Sequence, residues 1–138
     1  MEHNHQITAI FIARIFLGCL FFFQGYDAVF RIKMKNVVLT YQSTFANSGI
    51  PKIIVIWASW YTSFTALLGG LFLVLGLFNY CTLCVLGVNL ILTAIGFGIN
   101  TPMWDTRFVL PRLMLIIFLL IVPHGWHAWS LDNLLFSK

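Results

Sequence analysis

Cys81-Thr82-Leu83-Cys84 sets two thiols three residues apart, on one face of a helix, the pattern of a thiol-exchange pair. The alternative is packing, because small polarizable side chains also fill gaps between membrane helices; the third cysteine, Cys19, is far off in the chain. His124 and His127, at i and i+3, could present two nitrogens to a metal or a haem. Apart from Asp132, no carboxylate or thiol stands at ligand spacing from them, so no metal is expected. Arg14 lies inside an apolar run, where a cation costs about 3 kcal/mol unless it is paired or reaches the headgroups. Asp132, helped by Ser130 or His124, is its candidate partner, and reach to the headgroups is the alternative. Asp27 and Arg112 make a second candidate clamp, against the alternative that each meets water or lipid phosphate on its own. Asn89 and Thr93, at i and i+4, suit hydrogen bonding between helices, and secondarily the lining of a pocket. No Ser-His-Asp set, phosphate-binding glycine loop or pair of buried carboxylates can be placed, which leaves hydrolysis and acid-base catalysis without candidates.

The elements that must hold these residues are membrane helices. Of the 138 residues 60% are apolar, 17% aromatic and only 9% charged, and mean hydropathy is +0.92. A soluble domain is about 25% charged, so a globule of this composition would lack a polar surface. The net charge of +4 comes from eight scattered Lys and Arg, with no helix-turn-helix or zinc-finger pattern, and nucleic acid is not an expected partner. From Ile53 to Trp104 there is no charged residue. That run is about twice what one crossing requires, so it folds into two helices, and Phe78-Asn79-Tyr80 is the place for the turn. The expected architecture is all-α: an integral membrane four-helix bundle with spans over 7–26, 53–78, 80–99 and 108–126. The residues before the first span carry no Lys or Arg and no cleavage site follows it, so it reads as a retained span. Alternating ten-residue segments, the mark of a barrel, are missing.

Between the first two spans, Met34, Val38, Tyr41 and Phe45 form one helical stripe, which predicts an amphipathic interfacial helix over 33–47; a plain polar loop is the alternative. Gly49 and Pro51 separate it from the next span. Arg31, Lys33, Lys35, Lys52 and Arg107 fall on one side of the membrane, whereas the other has only Lys138. The positive-inside rule puts that basic side in the cytoplasm and both termini in the periplasm of a bacterial inner membrane.

Several stretches together resemble the DoxX family of small bacterial membrane proteins: Arg14-Ile15-Phe16-Leu17-Gly18, Phe22-Phe23-Gln24-Gly25-Tyr26-Asp27, Gly49-Ile50-Pro51, the run Gly70 to Leu77, and Trp129-Ser130-Leu131-Asp132. The resemblance extends over nearly the whole chain, as a single domain over 1–138. It departs from the pattern at His127-Ala128, where Gly-Arg is usual, and around Thr65 or Ala66, where an acidic residue often stands. The resemblance implies a four-helix membrane protein, often linked to quinone or thiol redox systems. Fourteen Phe suit a flat apolar ligand such as a quinone, and suit lipid contact equally. Ahead of a transporter, which one short four-helix unit could form only as an oligomer, two functions follow as expectations. One is a non-catalytic accessory subunit, docked in the bilayer on other integral membrane subunits or on copies of itself. The other is a quinone-linked or thiol-linked redox component.

Overall fold

The computed structural model describes residues 2–100 and 109–122. Within them the chain forms α1 (Glu2–Tyr26), a π-helical turn (Asp27–Arg31), α2 (Met34–Thr44), α3 (Lys52–Leu75), α4 (Asn79–Asn100) and α5 (Leu110–Ile121). Three helices are long and apolar enough to cross a membrane, over His5–Arg31, Lys52–Leu75 and Asn79–Gly96. Backbone groups have no water to bond in hydrocarbon, so a helix that satisfies them internally is the form such sequences take. The all-α membrane bundle expected from composition is the observed fold.

The fourth helix is shorter than expected. In place of a helix over 108–126, α5 has 12 residues, a length of about 18 Å against the roughly 30 Å of a hydrocarbon core. It stops because Val122, at φ −66° and ψ 131°, is extended, the conformation that a following proline imposes on its neighbour, here Pro123.

The turn in the charge-free run also moves. It begins at Gly76, whose φ of 72° is left-handed, so α3 ends at Leu75 and not at residue 78. Gly76 N–H donates to Leu73 O and Leu77 N–H to Phe72 O, the paired closure that a left-handed glycine makes at a helix end. Phe78, at φ 48°, and not Asn79, takes the second left-handed conformation. Asn79 is the first residue of α4 and its buried amide donates to Gly76 O at 3.4 Å. The amide spans the turn; Gly76 and Phe78, both before it in the chain, make it.

The amphipathic helix is present as α2, packed on α3. Its buried member is Val37, and Phe45, the residue that caps its C-terminus, is buried eight residues on, with Tyr41 between them and stacked on Phe45. Lys33, at φ 68°, breaks the path between the π turn and α2.

α1 packs on α3 and α5, and α4 on α3 and α5, which closes a ring of four helices. Leu17, Phe21, Leu73, Leu83, Leu86, Ile116 and Leu119 fill its centre. The α1–α3 pair is held backbone to backbone. A Cβ at Gly70 would lie 2.3 Å from Phe22 N and 2.8 Å from Gly18 O, so only glycine allows this approach.

Candidate functional site

At one end of the ring, α2 leans against the first turns of α3 and the last turns of α4, and a cleft opens between the three. Its volume is about 520 Å³ and its lining is Tyr41, Phe45, Ile50, Ile54, Val55, Trp57, Ala58, Tyr61, Thr62, Leu92, Thr93, Ile95 and Gly96. That size is within the range of about 300–1,000 Å³ that holds small ligands. Gly96 lets Phe45 approach α4, since a Cβ there would meet the ring at 3.4 Å. Two of the four hydroxyls are already engaged within their helices: Thr93 Oγ1 donates to Asn89 O at 2.8 Å and Thr62 Oγ1 to Ser59 O at 3.2 Å. The walls are therefore aromatic and aliphatic, with the Tyr61 phenol as a polar tip at the rim.

Arg112 and Asp27, expected as a clamp, take different partners. Arg112 Nη1 donates to Gln24 Oε1, and its guanidinium carbon stands 5.5 Å from the Phe21 ring centroid. Asp27 opens the π turn and pairs with Arg31 at 3.6 Å. The cause is helical phase. Gln24 and Phe21 lie three residues apart on the face of α1 that meets α5, whereas Asp27 has Arg31 one turn ahead of it. Both partners of that pair are exposed, so it contributes little to stability.

Arg14 is 2% exposed, with its guanidinium carbon 5.5 Å from the Phe11 ring centroid. Such burial puts the side chain inside the bundle and sets aside an outward reach to the headgroups. Asp132, Ser130, His124 and His127 lie outside the described residues, as does the C-terminal part of the expected fourth span. Among the described residues no group of three His, Cys, Asp or Glu could hold a metal.

Cys81 and Cys84 sit in the first turns of α4, Cys81 exposed and Cys84 half-buried, and all three cysteines are free thiols. The cleft begins at Leu92, eight residues beyond Cys84, or about 12 Å along the helix axis. The thiol pair and the cleft are thus separate places. Asn89 is buried at mid-helix, and its Oδ1 has no hydrogen-bond partner among the described residues.

The residues alone did not show the cleft or the Gln24 partner, and of the inner face of α3 they showed only the small pairs Ala66 with Gly70 and Thr65 with Gly69, spaced for close helix approach. That face had a longer signal: Ser59, Ser63, Ala66 and Gly70 recur at helical spacing, and the first three are buried. Tyr41 and Phe45 were visible as a stripe, but nothing in the spacing joins them to Trp57 and Tyr61 of α3. In comparison with known proteins, the family model described as DoxX matches residues 9–99. No curated protein and no solved structure gives a match.

Proposed function

Since the chain belongs to the DoxX family, we propose that it is a small accessory subunit of a larger bacterial inner-membrane assembly, to which it contributes a cleft for a flat ring ligand of the quinone class. The observation that carries this reading is the aromatic-walled cleft of about 520 Å³ between α2, α3 and α4. Trp57 and Tyr41 offer faces for stacking, which is worth about 1 kcal/mol beyond area burial. Tyr61, 41% exposed, offers a hydroxyl to a ring carbonyl at the rim. Apolar residues on the outer faces of α1, α3, α4 and α5 suit lipid and the flanks of neighbouring subunits. The basic residues Lys33, Lys35 and Lys52 support a cytoplasmic placement of the α2 end and periplasmic termini.

The test is a titration of the purified protein in mild detergent with a short-tail benzoquinone, read by tryptophan fluorescence. Saturable quenching is expected, lost in Trp57→Phe and weakened when Ala58→Phe fills the cleft. Tyr61→Phe should weaken binding about fivefold, the loss of one hydrogen bond. Quenching that rises linearly without saturation, and equally in Ala58→Phe, would refute the ligand. Purification from native membranes reads the partner: co-purifying subunits at fixed ratio support the accessory role, and a chain that always isolates alone argues against it.

A further inference from the structure

The thiol pair lies apart from the quinone cleft and has a geometry of its own. Cys81 and Cys84 occupy one face of α4, three residues apart, with Cys81 exposed and Cys84 half-buried. Phe78 and Tyr80, each 59% exposed, flank this turn with aromatic rings, the side chains that settle at headgroup depth. Cys81, the third residue of the span that begins at Asn79, therefore stands at the membrane–water boundary. In an α-helix, Cβ atoms three apart are about 5–6 Å from each other, and a disulfide needs about 3.5–4.5 Å. The first turn of a helix closes that gap by tightening toward the i, i+3 geometry, in which such side chains eclipse. Cys81 and Cys84 are the third and sixth residues of α4, which is α-helical there, with Thr82 N–H donating to Phe78 O at 2.9 Å; closing the disulfide therefore requires this helix end, joined to α3 through the left-handed Gly76 and Phe78, to tighten.

We infer that Cys81 and Cys84 form a reversible dithiol–disulfide couple that exchanges with a disulfide presented from the aqueous side of the α3–α4 turn. Cys81 Sγ, as the thiolate, attacks one sulfur of the incoming disulfide; that S–S bond breaks and the other partner sulfur leaves as a thiolate. Cys84 Sγ then attacks Cys81 Sγ, closes the internal disulfide and releases the second partner sulfur. Two electrons and two protons pass from the pair to the partner, whose disulfide becomes two thiols. The same steps run backwards when a dithiol meets the oxidised pair. Exposure assigns the roles: the accessible thiol meets the partner and the half-buried thiol resolves the mixed disulfide.

The experiment uses the full chain carrying Cys19→Ser, equilibrated in buffers of reduced and oxidised glutathione and then alkylated with a heavy maleimide. Cys81 and Cys84 should be alkylated together or protected together, with a single two-electron midpoint. Adding Cys84→Ser should arrest the reaction with one glutathione held on Cys81. Adding Cys81→Ser should slow capture by at least about tenfold, because the remaining thiol is half-buried. Glutathione on both thiols at once, with no internal disulfide at any poise, would overturn the inference, as would equal capture rates for the two single-thiol proteins. All of these readouts are masses, independent of quinone binding and of whether the serine variants retain any partner.

Discussion

Gly70 gives the sharpest prediction, because the contact at its Cα is between two backbones. An ordinary Cβ contact begins near 3.4 Å, and the alanine Cβ at this position would sit 2.3 Å from Phe22 N, 2.7 Å from Phe22 Cα and 2.8 Å from Gly18 O. None of these atoms belongs to a side chain that can rotate away. α1 and α3 must separate by about 1 Å, and the buried layer of Leu17, Phe21, Ala66 and Leu73 loosens with them. Overpacking of this kind costs about 1–3 kcal/mol, and each kcal/mol lowers the melting temperature by about 2–4 °C for a chain near this length. Gly70→Ala should therefore melt about 2–12 °C below the parent in detergent, followed by intrinsic tryptophan fluorescence or by cysteine accessibility. Two companions set the scale. Gly18→Ala meets a movable atom, Val74 Cγ2, at 2.7 Å and backbone only at 3.0 Å, so its loss should be smaller. Gly98→Ala meets nothing within 4 Å and should be neutral or stabilising by up to about 1 kcal/mol, the helix preference of alanine over glycine. Equal melting temperatures for Gly70→Ala and Gly98→Ala would refute the backbone-contact argument.

Gln24→Leu should destabilise by about 1–2 kcal/mol by leaving Arg112 without its acceptor, whereas Asp27→Asn should change the melting temperature within error; a double-mutant cycle with Arg112→Met locates the coupling. Phe45→Ala should cost about 3 kcal/mol, release α2 from α3 and α4, and raise protease cleavage between residues 33 and 51. If Asp132 meets the buried Arg14, then Arg14→Ala and Asp132→Ala should be equally harmful and the double variant no worse than either, as read by thermal melting. Reporter fusions test orientation: enzymes active only in the periplasm should work at both Met1 and Lys138, and a Lys138 fusion active only in the cytoplasm would reverse the topology.

The membrane environment, the helical class, the folding-back of the charge-free middle and the amphipathic α2 were all legible in the sequence. Each is set by solvent transfer and by hydrophobic periodicity, and both are local sums over neighbouring residues. Boundaries were less legible where local signals compete. Asn79 is a good turn residue in isolation, yet Gly76 reaches the left-handed conformation at no steric cost and ends α3 first. The fourth span was expected to run to residue 126, and instead α5 ends at Ile121, with Val122 already extended.

The candidate sites divide along the same line. The Cys81–Cys84 spacing is a property of one helix and could be read directly, and the structure adds the difference in exposure between the two thiols. The partner of Arg112, the burial of Arg14 and the cleft depend on how helices far apart in sequence are rotated against one another. That rotation is fixed by contacts such as Gly70 on Phe22 and Leu86 on Gly69, in which a difference of one methyl decides which faces meet. Composition and periodicity say which side of a helix avoids water, but in lipid nearly every side does so, and only the packing selects which apolar face turns inward.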